Sequence, residues 1–491
     1  MKRLSFYFIF LSALFGVLGF SFANNISTKT PLTNDKGVTE VDKVLDLNGG
    51  SLILENNGSL LFKDGGKIKN GTIIGNNTFL QANSHVFDNV IISGTWKVPY
   101  ITTDFFCDLS SDNSLQNLFA LTSAETNNRV VIKEGEYWIA TDSVNLTGVP
   151  IRSNTIVEIE GTIRLRPNRE ERSYIFGVEK CENVIITGGG IIIGDKDEHL
   201  GTKGQWGMGV AIFGSTNVQV SNLHISNCWG DCIYVAKDSK NVYVENCDLQ
   251  NSRRQGISVV GCDGFFVKNS KISKVKGSLP EYGIDLEPNT NRIVQNVIIE
   301  NVTIEDCQGG ILTCGSAENA VVDDIHIINC FISIGDNDSH RAFTSIDSKN
   351  VVLSNNRFLS NKRNSISLTN CSNYTFIHNE IKSISGIILK GCKNVAFNNN
   401  QISSQTYSFR EMSGLNLTGN SISSKKLTEE NSVINNLYLD SNELNCLIPD
   451  SFANSVIQNN TFLKKNKKID KILIDNERNN IIVNNRYEPS L

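Results

Sequence analysis

A short motif recurs along most of the chain and limits the folds that are open to it. Its copies begin with Asn or Gly, continue with mostly apolar residues and end with Asn, and they lie at residues 217–222, 241–246, 264–269, 296–301 and 394–399. A second short strand pattern follows each copy, and a third follows after a variable gap, with a period of mostly 21 to 27 residues. Strands this short cannot bury an apolar face alone, so neighbouring repeats must stack.

Three strands per repeat with no intervening helix predict an all-β chain folded as a right-handed parallel β-helix. A leucine-rich horseshoe is the competing solenoid, but its leucine-patterned consensus is missing. Asparagine supports the β-helix, because 61 of the 491 residues are Asn, a poor helix and strand former that is frequent in turns. Stacking would place Asn222, Asn246, Asn269 and Asn301 at one corner as a ladder of side-chain amides.

The N-terminal region differs from the repeats. Lys2 and Arg3 precede an apolar run that ends at Phe20, and small residues follow. Residues 1–23 are therefore predicted to be a secretory signal peptide, with an uncleaved N-terminal anchor as the alternative. The glycine-rich residues 24–101 are predicted to form a small β-rich unit. Residues 112–124 carry an apolar helical stripe, and we expect this short helix to cap the β-helix of residues 102–491.

Composition excludes several partners and cofactors. The net charge is −5 and the pI is about 5.8, which argues against nucleic acid as a partner. No later segment approaches 18 consecutive apolar residues, so no membrane span is expected after signal cleavage. The 12 cysteines recur at fixed places in the repeat and are predicted to be buried free thiols. The sequence has neither zinc-ligand spacing nor a dedicated calcium loop, so it assigns no metal and requires no cofactor. It leaves the oligomeric state open.

Two consecutive repeats resemble a known family. Residues 230–235 read GDCIYV and residues 255–261 read QGISVVG, where polygalacturonases carry D-D-C and G-H-G-I-S-I-G. With the expected capping helix and the Asn-Val pattern, residues 102–400 resemble the pectate-lyase superfamily. They are similar to its glycoside hydrolase family 28-related group of exported Bacteroidetes proteins. This resemblance implies a carbohydrate substrate. Gly230 replaces the first Asp and Gln255 replaces the His, which places standard polygalacturonase chemistry in doubt.

Strand alternation predicts a polar cluster on the outer face of the third strand. The column Tyr234, Ser258, Asp285 and Leu312 is expected to face solvent, and Glu287 would lie on the same face about 6 to 7 Å from Asp285. Glycoside hydrolases use paired carboxyls, so the predicted catalytic residues are Asp231, Asp285 and Glu287. The predicted substrate-binding residues, which come from the turns entering these strands or from the strand starts, are Trp206, Trp229, Arg253, Arg254, Gln255 and Tyr282.

Local charge suggests the substrate. Between Arg253 and Lys276 there are six basic residues and one acidic residue, which favours an anionic, uronic-acid-containing polysaccharide. The sequence therefore predicts a secreted or periplasmic enzyme that cleaves glycosidic bonds in such a polymer, with hydrolysis favoured.

Two other functions stay open. Residues 282–288 faintly resemble the Y-G-x-D-P-H-E stretch of alginate epimerases. A lyase or C5-epimerase, with calcium on Asp285 and Glu287, is therefore the first alternative. A non-catalytic glycan-binding surface β-helix is the second. Two of the four tryptophans border the proposed site, which favours an enzyme.

Overall fold

The computed structural model describes residues 37–109, 114–334, 340–361, 364–428, 434–445, 452–463 and 480–487. The predicted signal peptide lies outside these ranges. Within them the chain is an all-β solenoid whose strands pair in parallel from one turn to the next, and most turns of the main solenoid supply one strand to each of three faces. This arrangement confirms the predicted β-helix.

Face 1 is a sheet of stacked first strands. Its strands are Tyr100–Thr102, Asn128–Ile132, Thr155–Ile159, Glu182–Thr187, Thr216–Ser221, Ser239–Glu245, Cys262–Lys268, Ile293–Glu300, Val321–Ile328, Lys349–Ser354, Ser372–Ile377, Lys393–Asn398, Ser413–Thr418, Ile434–Asp440, Phe452–Ala453, Val456–Gln458 and Ile481–Val483.

Faces 2 and 3 belong to one bent sheet. Face 2 contains Glu136–Ile139, Thr162–Leu165, Ile191–Ile193, His224–Ser226, Asp248–Gln250, Lys271–Ser273, Thr303–Cys307, Phe331–Ile334, Arg357–Ser360, Glu443–Asn445, Thr461–Phe462 and Arg486–Tyr487. Face 3 contains Thr147–Ile151, Arg172–Glu179, Trp206–Phe213, Asp231–Ala236, Gln255–Val259, Tyr282–Leu286, Gly309–Cys314, Phe343–Ile346 and Ile366–Thr369. Three long strands run across both faces, namely Glu380–Lys390, Gln401–Arg410 and Ser421–Thr428.

Asparagine makes the corners. Asn217, Asn222 and Asn241 have φ angles of 56°, 55° and 51°, in the left-handed region that Asn tolerates better than most residues. The predicted corner ladder is present: the Asn246 side chain donates to Asn222 Oδ1 at 3.2 Å, and Asn301 donates to Asn269 Oδ1 at 3.1 Å. The abundance of Asn is therefore a consequence of frequent, regular turning.

A second amide ladder, which the sequence analysis did not anticipate, runs inside the C-terminal half of the solenoid. Its members occupy the residue after the corner in successive turns and are Asn356, Asn379, Asn400, Asn420, Asn442 and Asn460, all buried. Earlier turns have Cys247, Ser270 and Cys330 at this place. All described cysteines are free, and all except Cys107 are buried, as predicted; Cys446 lies outside the described ranges.

The residues before the main solenoid form a six-stranded unit. Its strands are Val38–Val41, Val44–Asp46, Ser51–Ile53, Ser59–Phe62, Lys67–Gln81 and Phe87–Lys97, and all their pairings are parallel. A short 3-10 helix, Thr103–Phe105, follows. The predicted boundary between residues 101 and 102 stays a prediction, since one continuous core cluster includes residues from Val41 to Phe462.

The α-helix Ser114–Ala120 lies between the six-stranded unit and the first turns of the solenoid. Leu115, Leu118 and Phe119 are buried, as the helical stripe predicted. Asn117 fixes the helix to the strand Phe87–Lys97, because it accepts from Ile92 N at 3.0 Å and donates to Val90 O at 3.1 Å. No helix in the described ranges is long and apolar enough to cross a membrane.

Candidate active site on face 3

The outer side of face 3 has the register that the sequence predicted. Tyr234 pairs with Ser258, Ser258 with Asp285, and Asp285 with Leu312. A second outward column begins where Asp231 pairs with Gln255. Three successive turns therefore bring Asp231, Gln255 and Asp285 together.

These side chains are covered, so the expectation that Asp285 faces solvent is wrong. Asp231 and Gln255 are 0% exposed, Asp285 is 2% exposed and Tyr282 is 3% exposed. Tyr282 closes the C-terminal side, because its hydroxyl donates to Thr344 Oγ1 at 2.9 Å and its ring lies against Gly309. A Cβ at position 309 would approach that ring to 2.6 Å, so the close packing depends on glycine.

Asp231 and Arg254 form a buried ion pair. The Arg254 Nε and Nη2 atoms each donate to a different oxygen of Asp231 at 2.9 Å, and Nη2 also lies 3.3 Å from Ser258 Oγ. Burial raises the pKa of Asp231 to about 6, and the Arg254 charge opposes that rise. The carboxylate is therefore charged at neutral pH, and both of its oxygens are occupied by the guanidinium.

Asp285 is in a different state. Gln255 Nε2 donates to Asp285 Oδ2 at 2.8 Å, while Gln255 Oε1 accepts from Tyr282 N at 2.6 Å. The other oxygen, Oδ1, is buried and has no hydrogen-bond partner among the described residues. Burial, and next the neighbouring Glu287 carboxyl, raise the pKa of Asp285 well above its usual value. Asp285 is thus a carboxyl whose surroundings favour the protonated form.

Glu287 lies at the rim of this cluster. It is exposed, although crowding by neighbouring atoms still raises its pKa. It follows the strand Tyr282–Leu286 in register, since Glu287 N donates to Val259 O at 3.0 Å. Residues i and i+2 of a strand share a face, which places the Cα atoms of Asp285 and Glu287 about 6.6 Å apart. One buried acid and one exposed carboxyl therefore face the same side.

Trp229 and Arg253 form a stack beside the cluster. The Trp229 ring is stacked on His199, with centroids 3.9 Å apart and an angle of 17°, and the Arg253 guanidinium lies 3.8 Å from the Trp229 centroid. Both faces of the indole are therefore covered, so a sugar ring cannot stack on it. His199 lies thirty residues upstream of Trp229, and only the fold brings them together.

An aromatic cluster that the sequence pattern did not predict lies on face 3, N-terminal to the carboxyls of Asp231 and Asp285. Tyr174 packs edge-on against Phe213 and Phe213 against Tyr234, with centroids 5.3 and 5.8 Å apart. Trp206 packs on the same cluster, with Arg172 5.2 Å from its ring. The sequence of residues 206–213 (WGMGVAIF) indicates this cluster, because its residues are apolar on both sides of the strand, which is typical of a strand covered on both faces.

The basic segment between Arg253 and Lys276 does not act as one patch. Lys268 pairs with Glu300 at 3.1 Å, and Lys271 pairs with Glu305 at 2.5 Å. Lys268 ends a strand of face 1 and Lys271 begins a strand of face 2. The cations that remain near the face 3 cluster are Arg172, Arg253 and Arg254.

Calcium does not fit the pair that the sequence suggested for it. Burial disfavours ionisation of Asp285, which already accepts from an amide, whereas calcium needs several charged or carbonyl oxygens. Within the described residues, no group of three or more His, Cys, Asp or Glu side chains is arranged to hold a metal ion.

Comparison with known proteins agrees with this architecture. A family profile described as "Right handed beta helix region" matches residues 177–324, 208–366 and 243–402. The A-module of the Azotobacter vinelandii mannuronan C-5 epimerase AlgE6 superposes with a TM-score of 0.55 at 12% identity, covering 74% of this chain and 100% of that one. Residues 177–402 thus match a right-handed β-helix profile, and the structure shows that the chain has the parallel β-helix fold.

Two curated relatives share part of the sequence. The chain is 32% identical over 200 residues to the uncharacterized SPbeta prophage-derived protein YorA of Bacillus subtilis, which is 34% of each chain. It is also 32% identical over 158 residues to the uncharacterized protein YclG of the same organism, which is 28% of this chain and 27% of that one. The aligned segment spans about a third of the length of these relatives.

Proposed function

We propose that the protein is an exported carbohydrate-active enzyme that hydrolyses glycosidic bonds in a uronic-acid-containing polysaccharide. The observation that carries the proposal is the pair Asp285 and Glu287. Neighbouring carboxyls in unlike environments separate their pKa values, which lets one act as acid and the other as base. In this proposal the covering Tyr282 side chain moves aside when the polysaccharide binds, so that Asp285 acts as the general acid that protonates the leaving oxygen, and Glu287 is the base that activates water.

The separation of the two carboxyls supports a particular stereochemistry. About 6.6 Å is expected for strand residues two apart. Inverting glycoside hydrolases hold their carboxyls about 6.5 to 9.5 Å apart, and retaining enzymes about 5 to 5.5 Å. A carboxyl separation close to this Cα spacing would therefore favour inversion. Asp231, which the sequence placed among the catalytic residues, has both oxygens on Arg254 and is assigned a supporting role that fixes that cation.

The surroundings support a sugar ligand with negative charge. The partly exposed rings of Tyr174, Trp206 and Tyr234 provide apolar surface for sugar rings. The adjoining guanidinium groups of Arg253 and Arg254 suit carboxylates. Export rests on the apolar N-terminal segment, and the N-terminal sequence of the protein recovered from the periplasm or medium would test cleavage after Ala23.

Elimination is the weaker candidate reaction. A lyase or epimerase needs a base that removes the proton beside the uronate carboxyl, and Tyr234 is the tyrosine nearest Arg254 on the open part of the face. Burial raises the pKa of Tyr234 to about 12. A phenol with a raised pKa is a poor base at neutral pH, so the geometry favours hydrolysis.

A panel of uronic-acid polysaccharides, such as polygalacturonate and alginate, tests the proposal. We expect new reducing ends without the ultraviolet absorbance of an unsaturated sugar, and we expect the Asp285→Asn and Glu287→Gln variants to lose activity. The matched control is Glu182→Gln, an exposed carboxyl on face 1. Unsaturated products would establish a lyase. Binding without any cleavage would establish a glycan-binding protein, and either result would overturn hydrolysis.

A further inference from the structure

We propose that Asp195 and His199 are positioning residues that hold Trp229 and Arg253 as a stack, and that the Arg253 guanidinium binds the carboxylate of a substrate uronic-acid residue. This inference rests on the proposed function and names the group that recognises the charge of the substrate. It also accounts for residues 195–199 (DKDEH), a charged segment that the catalytic cluster leaves unexplained.

The Asp195–His199 pair lies behind the stack and is fully enclosed. Both side chains are 1% exposed, and His199 Nδ1 lies 2.8 Å from Asp195 Oδ2. That oxygen also accepts from Asn168 N at 3.2 Å. A buried carboxylate that holds one ring nitrogen fixes both the tautomer and the plane of a histidine. The plane of His199 then determines the plane of Trp229, which is stacked on it.

Neighbouring charges fasten this loop to the solenoid. Lys196 Nζ donates to Asn251 Oδ1 at 2.8 Å, and Asp197 accepts from Asn227 at 3.1 Å and from Asn251 at 3.2 Å. The loop therefore crosses two turns of the corner between faces 2 and 3. Three successive residues, Asp195, Lys196 and Asp197, thus have contacts that fix the loop in one position.

The outer layer of the stack is a cation with unused donors. Arg253 Nη1 donates to Gly204 O at 2.8 Å, and no other hydrogen bond of its side chain is recorded within the described ranges. Arg253 is only partly buried. By contrast, Arg254 has committed Nε and Nη2 to Asp231. A guanidinium held flat against an indole loses little freedom when it binds a carboxylate through its free edge.

The test is a double-mutant cycle on His199 and Arg253. The measured quantities are KM, kcat and the dissociation constant for a uronic-acid oligosaccharide, compared with a neutral oligosaccharide of the same length. Arg253→Gln should weaken uronate binding about tenfold or more, the effect of losing charge-assisted hydrogen bonds, and should leave kcat nearly unchanged. His199→Ala should have a similar effect. The double variant should be no weaker than Arg253→Gln, because His199 acts through Arg253.

Controls separate positioning from general damage. His199→Phe keeps a ring against Trp229 and should recover most of the lost affinity. Arg357→Gln removes the cation 5.5 Å from Phe331, on face 2 and five turns C-terminal to Trp229, and should leave uronate binding unchanged. Additive losses in the cycle, or equal losses for the neutral oligosaccharide, would overturn the inference. If no polysaccharide is cleaved, uronate binding measured by calorimetry still tests Arg253, so failure of the proposed reaction remains distinguishable.

Discussion

Burial gives Asp285 its chemical character. An ionised carboxylate is costly in a site without water, so the group keeps its proton unless a cation compensates. Arg254 is close enough to compensate, but it is committed to Asp231 by two hydrogen bonds. Asp231 and Asp285 lie two turns apart on the same face. The Arg254 guanidinium is hydrogen-bonded to Asp231, and this pairing favours ionisation of Asp231 over ionisation of Asp285. Arg254 thus favours ionisation of Asp231, whereas the surroundings of Asp285 favour its protonated form.

The protonated state of Asp285 predicts a pH-dependent stability difference. Above about pH 4 the unfolded chain releases this proton, while the folded chain retains it because its pKa is raised. The free energy of unfolding therefore falls as pH rises from the pKa of Asp285 in the unfolded chain towards its raised pKa in the folded chain. Asn does not titrate, so the Tm of Asp285→Asn relative to wild type should increase between pH 4 and pH 7.

Asp46 offers a control of opposite sign. A hydrogen bond from Asn48 N lowers its pKa, so its stabilising contribution is present at neutral pH and is lost on acidification. Relative to wild type, Asp46→Asn should lose Tm as pH rises towards about 4, and the difference should then stay constant. Thermal scans from about pH 2 to pH 7 measure both variants, and a pH-independent difference for Asp285→Asn would contradict a raised pKa of Asp285.

Loss of the Asp231 carboxylate should be costly. Asp231→Ala leaves the Arg254 guanidinium enclosed without its partner, which in buried pairs costs about 3 to 5 kcal/mol. Glu305→Gln, which breaks the exposed pair with Lys271, should have little effect because water solvates both groups. Urea unfolding measures the two losses, and equal losses would show that the Asp231–Arg254 pair is solvated.

At the corners of the solenoid, the exposed and the interior amide ladders contribute to stability in different ways. The exposed Asn residues are there because their backbone is left-handed, and their side chains add contacts that water could replace. The interior Asn residues are buried, so water cannot replace their contacts. Asn400 Nδ2 donates to Phe376 O and to Asn420 Oδ1 at 2.9 and 3.0 Å, while its Oδ1 accepts from Asn379 N at 2.8 Å. Each interior Asn therefore satisfies two backbone groups of the preceding turn and bonds to the side chain of the next Asn.

Removal of one interior rung should destabilise the C-terminal turns. Asn400→Ala leaves Phe376 O and Asn379 N without their partners, at about 1 to 3 kcal/mol for each unsatisfied group. Asn217→Gly, in the exposed ladder, keeps a residue that accepts a φ of 56° and should cost much less. Chemical denaturation compares them, and a larger loss for Asn217→Gly would reverse the assignment.

The period-2 alternation was sufficient to predict the strand register. It placed Tyr234, Ser258, Asp285 and Leu312 in one column because side chains alternate strictly along a strand. It could not predict burial of Asp285, which depends on Tyr282 packing over Gly309 and reaching Thr344. It also could not predict that His199 covers Trp229, because contacts across a variable-length loop leave no periodic signal. The interior ladder was missed because Cys, Ser and Asn share its column.

Across the whole molecule, one continuous core links the N-terminal unit to the turns that carry the candidate site. The six-stranded unit, the helix Ser114–Ala120 and the first turns share buried residues, and Phe119 of the helix packs against Phe176 with centroids 6.2 Å apart. Phe176 belongs to the face 3 strand that also carries Arg172 and Tyr174. The N-terminal cover therefore shields the solenoid edge close to the aromatic cluster.

In the proposed function, Asp285 and Glu287, whose Cα atoms lie about 6.6 Å apart, form an acid–base pair that hydrolyses a uronic-acid polysaccharide. The most direct measurement is proton NMR of the first reducing ends released by the wild-type protein, recorded before the anomers interconvert. The account predicts that the new anomeric centre is inverted and that neither Asp285→Asn nor Glu287→Gln releases product. A retained configuration, or full release by the Asp285→Asn variant, would contradict it.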